Sequence, residues 1–170
     1  NIRTVEVWAG DQWGRLPVIS LGGGTSDDVL TIAFDDMQHA YRRFSYKVQH
    51  CEADWTPSDA LFESDYLEGF YNGLTIDDVT ESINTQMLYT HYKMQFPNSQ
   101  CQLKMSVNYI LTVIDDNADE EVLKVCFMVT ENKMSVAMEM TPNTDIDNRR
   151  SHQQINREIR YNGISPTRPA

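Results

Sequence analysis

Apolar and polar residues alternate with period two along most of the chain, the signature of half-buried β-strands. Ile2-Arg3-Thr4-Val5-Glu6-Val7-Trp8 opens the series, and Leu16-Pro17-Val18-Ile19 follows, with Pro17 suited to an edge or a strand start. Leu30, Ile32 and Phe34 share one face of Val29–Phe34. Phe44–His50, Ser82–Thr85 and Tyr92–Phe96 alternate in the same way, while Tyr109–Ile114 and Val122–Val129 are denser and predict central strands. Gly22-Gly23-Gly24, Asn72-Gly73 and Pro97-Asn98-Ser99 punctuate the strands as turns. Many short strands separated by turns predict an all-β antiparallel β-sandwich rather than βαβ units.

Residues 52–80 interrupt the pattern and read as one long inter-strand excursion, a place where binding residues often sit. Within it, Thr56-Pro57-Ser58-Asp59 offers an N-cap, a proline at the first helical position and an acidic first turn. A short helix is therefore expected between Pro57 and Leu67, ending near Gly69. After Glu131-Asn132-Lys133 the character changes again. Met134–Met140 reads as a new strand, residues 141–154 are polar, and Ile155–Tyr161 begins another strand. These shifts predict a first domain over residues 1–131 and the beginning of a second β domain over 132–170, cut short. The chain opens at Asn1 without a leader and stops on Ser165–Ala170 without a completed element, so it is expected to be part of a longer protein.

Of the 170 residues, 41% are apolar and 23% charged, a globular balance. With 14 basic against 25 acidic residues the net charge is −11, which argues against a nucleic-acid binder and against docking on anionic lipid. No apolar run approaches the ~18 residues of a membrane-spanning helix.

Asp115, Asn117 and Asp119 match the first ligand spacings of a calcium loop, but Glu120 stands where that loop needs glycine and Cys126 where it needs glutamate. The cluster lies between two strands, so a solvated hairpin turn is the alternative; Asp35-Asp36 and Asp77-Asp78 read similarly, as strand ends. Asp27, Asp28, Asp35, Asp36, Glu52, Asp54 and Glu63 offer carboxylates for acid–base work, but no spacing fixes two of them across a substrate. His39, His50, His91 and His152 stand far apart and read as structural. Cys51, Cys101 and Cys126 are buried small hydrophobes, or two of them form one disulfide. No catalytic residue, metal site or cofactor is predicted. Trp8, Trp13, Trp55, Tyr66, Phe70 and Tyr71 could form a contact or sugar-stacking platform, or simply fill the core and anchor loops.

His50-Cys51-Glu52-Ala53-Asp54-Trp55-Thr56-Pro57-Ser58-Asp59 resembles the HCDADWxPSD signature of the type 9 secretion system plug protein family of Bacteroidetes. Tyr66–Phe70 resembles the family's EYLDGF segment, and Asn84-Thr85, Tyr89–Tyr92 and Phe96–Asn98 its FNT…YTHY…PN segment. Asn108–Val113 with Asp115-Asp116 resembles GNYLLKVYED, and Phe127–Val129 resembles RFMV. Val107 replaces the usual glycine, so no positive φ is expected there. Val125-Cys126 replaces a pair of arginines, removing two positive charges.

The resemblance implies an immunoglobulin-like β-sandwich and a non-enzymatic, periplasmic, outer-membrane-associated interaction protein with no membrane insertion of its own. It would close the periplasmic side of the outer-membrane translocon barrel of the type 9 system. The contact face would be formed partly by the excursion, with Glu52, Asp54, Trp55, Tyr66, Phe70 and Tyr71 as candidate partner-binding residues. A secreted carbohydrate-binding β-sandwich is the competing reading, and a hydrolase with paired carboxylates a third.

Overall fold

The computed structural model describes residues 2–22, 28–131, 133–141 and 153–161. Expectations for Gly23, Gly24, Asp27 and His152, for the polar stretch 142–152 and for the tail 165–170 lie outside the described residues. By internal contacts the chain divides into two units, Asn1–Thr130 and Glu131–Ala170.

The first unit holds β1 (Ile2–Ala9), β2 (Val18–Ser20), β3 (Leu30–Asp36), β4 (Phe44–Cys51), a one-turn helix α1 (Glu63–Tyr66), β5 (Leu67–Gly69), β6 (Leu74–Thr75), β7 (Asp78–Glu81), β8 (Thr90–Phe96), β9 (Cys101–Leu103), β10 (Val107–Asp115) and β11 (Glu120–Thr130). One sheet has the order β1-β3-β8-β7 and the other β2-β11-β10-β4-β6; β5 and β9 pair separately. In immunoglobulin lettering these are the A-B-E-D and A′-G-F-C-C′ sheets of a Greek-key sandwich, as the alternating pattern predicts. One pair departs from the expected antiparallel arrangement: β2 runs parallel to β11. The edge strand switches sheets between Ala9 and Val18 and then continues toward the same end. The amide of Met128 donates to the carbonyl of Pro17 at 2.9 Å.

The inward faces carry the core. Phe34 and Tyr92 from the first sheet meet Phe44 from the second at ring-centroid distances of 5.5 and 4.8 Å. Phe96 meets Tyr46 at 6.4 Å and Phe127 at 5.8 Å, and Tyr109 stacks on Phe127 at 5.5 Å. Each such pair adds about 0.5–1.5 kcal/mol beyond its buried area. The Tyr109 hydroxyl donates to the carbonyl of Met105 at 2.9 Å, a tyrosine corner that ties the start of β10 to the preceding loop. Immediately before it, Val107 has φ +108°, which overturns the expectation for that position. The backbone adopts the glycine-favouring geometry although the residue is β-branched, because the corner and the β10–β11 ladder fix both of its flanks.

Registers define the ends of the sandwich. Ile2, Asp36, Thr90 and Glu81 are level with one another in the first sheet. Phe44, Asp115 and Glu120 are level in the second. Arg42, in the β3–β4 connection, bonds Asp36 at 3.1 Å and also Asp115, joining the two sheets at this end. The expectation that Asp36 and Asp115 are solvated strand-end residues is thereby overturned: their side chains are 0% and 1% exposed, held by the shared guanidinium. The 116–119 turn remains an ordinary hairpin tip, with the amide of Asn117 donating to Asp115 Oδ1 at 3.0 Å. Two local expectations fail as well. Ser82–Thr85 is loop rather than strand, since Asn84 turns the chain at φ +59°. The helix falls inside the expected Pro57–Leu67 window, but it starts at Glu63 rather than at the Thr56-Pro57 cap, because Pro57 is held in a β-bridge to Cys51.

The second unit shows β12 (Met134–Thr141) paired antiparallel with β13 (Gln154–Tyr161). Alternation and register put Met134, Val136, Met138 and Met140 on the same face as Tyr161, Ile159 and Ile155, all exposed.

Candidate functional site

The excursion opens with a turn built from its own polar groups. The amide of Glu52 donates to the carbonyl of Thr56 at 2.8 Å, and that of Ser58 to the carbonyl of His50 at 3.1 Å. Asp54 Oδ1 accepts from the amide of Thr56 at 3.0 Å and from its hydroxyl at 2.6 Å, a side-chain turn that leaves Trp55 at φ +69°. Those two bonds hold the Asp54 carboxyl below its usual range, the hydroxyl first. The Ser58 hydroxyl donates to Glu52 Oε1 at 2.6 Å and lies 2.8 Å from His50 Nδ1. With its single proton committed to Glu52, Ser58 accepts from His50, which places the imidazole proton on Nδ1. His50 Nε2 is buried against Tyr66 and Tyr109 with no hydrogen-bond partner, so this histidine is structural but satisfied on one side only. Asn108 on β10 pins the turn from below, its amide group donating to the carbonyls of Glu52 at 3.1 Å and Ala53 at 3.3 Å.

Beyond the turn, α1 seats Tyr66 in the core at 5% exposure, and burial raises its hydroxyl pKa. A cleft of about 110 Å³ between α1 and β4, lined by Lys47, Val48, Gln49, Glu63 and Tyr66, is well below the ~300 Å³ of an ordinary ligand pocket. Gly69 has φ +101°, and a Cβ there would stand 2.2 Å from the carbonyl oxygen of Gln100, so the β5–β9 pairing requires glycine at this point. Tyr71 packs against the core and Trp55 is half-buried, whereas Phe70 is exposed. Of the six candidate contact residues, the structure thus commits Glu52 and Asp54 to the turn and Tyr66 to the core. Trp55 and Tyr71 are partly covered, and Phe70 is open, joined by Phe62, which pattern reading passed over.

The other candidates are dispersed. Asp35 pairs with His91 Nδ1 at 2.7 Å, and Asp36 and Asp115 are held by Arg42. Trp13 is exposed and its indole reaches Glu6 at 3.4 Å, while Trp8 is half-buried. Cys51 and Cys101 are buried free thiols and Cys126 is an exposed one. Burial raises the Cys101 pKa to about 11 and also raises that of Cys51. Among the described residues no group of three His, Cys, Asp or Glu side chains could hold a metal ion. No helix among them is long and apolar enough to cross a membrane.

Pattern reading also missed the hairpin connecting β7 to β8. Its loop exposes Ile83, Met87 and Leu88, and at its root lies an open hollow of about 430 Å³ lined by Thr80, Glu81, Ser82, Tyr89 and His91.

A Greek-key sandwich whose signature turn is stapled by its own side chains defines an immunoglobulin-like β-sandwich domain. The chain belongs to the type 9 secretion system plug protein family: the family model for the plug protein's first domain matches residues 2–131. A crystal structure of a hypothetical protein from Parabacteroides merdae ATCC 43184 is similar at 36% identity and a TM-score of 0.78. That similarity covers 98% of this chain and 41% of the Parabacteroides chain, so this chain spans about two fifths of the length of its structural relative. No curated protein matches the chain significantly.

Proposed function

We propose that this chain is the first domain of a plug, with the opening strands of a second, and that it closes the periplasmic side of the type 9 outer-membrane translocon by bulk and shape, without chemistry. The observation that carries the reading is the family match over residues 2–131. The physics of the fold supports it. Occluding an aqueous mouth requires a body that loses little entropy on docking, and a sandwich with an interdigitated ring core and a stapled excursion is already ordered. Nearly every candidate acid–base carboxylate placed by the fold is spent on a structural bond, which supports a non-enzymatic role. On this reading the protein works in the periplasm, associated with the outer membrane.

Residues 132–170 begin a second β domain. The paired strands β12 and β13 expose one mostly apolar face, interrupted by Arg157 opposite Met138, and an isolated two-stranded hairpin is marginal in water.

Conductance of the solubilised translocon barrel in a planar bilayer tests the reading. Full-length protein added on the periplasmic side is expected to close the open pore; an unchanged conductance at saturating protein would overturn the proposal.

A further inference from the structure

We propose that the loop of the β7–β8 hairpin, residues 82–89, is an apolar finger that seats in a pocket of the barrel partner, while the hollow at its root receives a lysine or arginine side chain of that partner against Glu81. The assignment rests on the plug reading and names the surface through which the plug grips.

Hairpin tips are ordinarily polar, because their side chains gain nothing from the core. Here Ile83 is 80% exposed, Met87 69% and Leu88 47%. Three large apolar side chains in one short loop form a contiguous patch for which folding supplies no return. The loop is nevertheless held in shape. The amide of Ser82 donates to the carbonyl of Tyr89 at 2.9 Å, and the amide of Tyr89 donates to the Ser82 hydroxyl at 2.8 Å, closing its base. The Thr85 hydroxyl donates to the carbonyl of Met87 at 2.7 Å, fixing the far side. A rigid apolar projection with an adaptable methionine near its tip docks at low ordering cost.

The hollow beside it decides the partner's chemistry. Glu81 contributes an exposed carboxylate to the lining. Asp35 lies 2.7 Å from the His91 imidazole, a second carboxylate next to the lining. Glu81 ends the β7–β8 ladder opposite Thr90, where the loop leaves the sheet. An apolar loop flanked by the exposed Glu81 carboxylate is complementary to an apolar pocket flanked by a cation. In the excursion, the carboxylates Glu52 and Asp54 are engaged within their own turn.

The test is the affinity of full-length protein for the detergent-solubilised translocon barrel. Ile83→Asp with Met87→Asp is expected to weaken binding about tenfold or more, as loss of a central anchor does. Glu81→Lys is expected to slow association and to flatten its dependence on salt. Phe62→Asp and Phe70→Asp are expected to stay within about twofold of the wild type. Thermal melting of each variant verifies folding, and Met87→Ser provides a milder probe of the finger. Wild-type-like binding by the finger variants, with loss in the Phe62 and Phe70 variants, would move the contact to the excursion and overturn this assignment while leaving the plug reading intact. Equal binding to barrel-free vesicles of outer-membrane lipid would also overturn it. Absence of barrel binding by the wild type would remove the plug reading and this assignment with it.

Discussion

Replacing Arg42 by Met removes the one cation shared by two buried carboxylates. The Asp36 and Asp115 side chains are 0% and 1% exposed, and the Arg42 side chain is 17% exposed. Burial works against the guanidinium charge, but the hydrogen bonds to both carboxylates outweigh it and raise the Arg42 pKa above its usual value. Methionine keeps much of the aliphatic stem and loses the charge, including its position 5.3 Å over the Phe44 ring. Two uncompensated buried anions remain, and breaking such a pair costs about 3–5 kcal/mol. That is a large part of the ~5–15 kcal/mol by which a domain of this size is stable. With a urea dependence of about 1–3 kcal/mol per molar, the unfolding midpoint should fall by more than about 1 M. Adding Asp36→Asn and Asp115→Asn to Arg42→Met removes the stranded charges and should restore most of the loss. A loss below about 1 kcal/mol, or a triple variant no more stable than the single one, would show that the triad is not a buried electrostatic lock.

Two further predictions concern single positions. At Val107 the usual order of substitutions should reverse: Val107→Gly should be at least as stable as Val107→Ala, although glycine in a strand ordinarily costs about 0.5–1 kcal/mol relative to alanine, and the ordinary order in urea titrations would contradict φ +108°. Glu121 is held at about 2, against an ordinary 4.5, first by its hydrogen bond to Lys124 and then by that to Lys47. Because its folded pKa is depressed, its contribution is present above about 4.5 and lost as pH falls toward 2. The stability gap between wild type and Glu121→Gln should therefore close across that window and shrink in high salt, and a gap indifferent to pH would refute it.

Much of the sandwich was legible because alternation is a local signal. β3, β4, β8, β10 and β11 bury the residues that their period marks, β1 covers its own only in part with Val5 left exposed, and the boundaries differ by a residue or two. What escaped was set by distant partners. Arg42 lies six residues after Asp36, but nothing in sequence ties it to Asp115, 73 residues away, because the fold alone brings β3 and β10 to the same end. Ser82–Thr85 alternates like a strand, yet the β7–β8 ladder ends at Glu81 opposite Thr90, and the next residues must turn. Thr56-Pro57 carries the chemistry of a helix start, but Asp54 captures Thr56 and Cys51 pairs with Pro57 first, which delays the helix to Glu63. The tyrosine corner was hidden for the same reason: Tyr109 reads as one more apolar strand residue until its hydroxyl is seen on Met105.

The placement of the Arg42 triad gives its cost a reason. A buried charge cluster is seldom the most stable filling for a core, and well-packed apolar residues often do as well or better. Its distinctive property is direction: the guanidinium fork accepts only one arrangement of Asp36 and Asp115, and so fixes the end of one sheet against the end of the other. The hairpin bearing Ile83, Met87 and Leu88 leaves the sandwich at that end, through β7 and β8, with Thr90 level with Asp36. The hydroxyl of Tyr92, two residues further along β8, donates to the carbonyl of Arg42 at 3.0 Å and accepts from its amide at 2.8 Å. The lock and the projecting loop are thus connected through a single strand. A body that must seal an opening gains from holding its contact loop at a fixed angle. Under the proposed plug role, loosening the triad should therefore weaken attachment to the barrel more than the loss of folded protein alone accounts for.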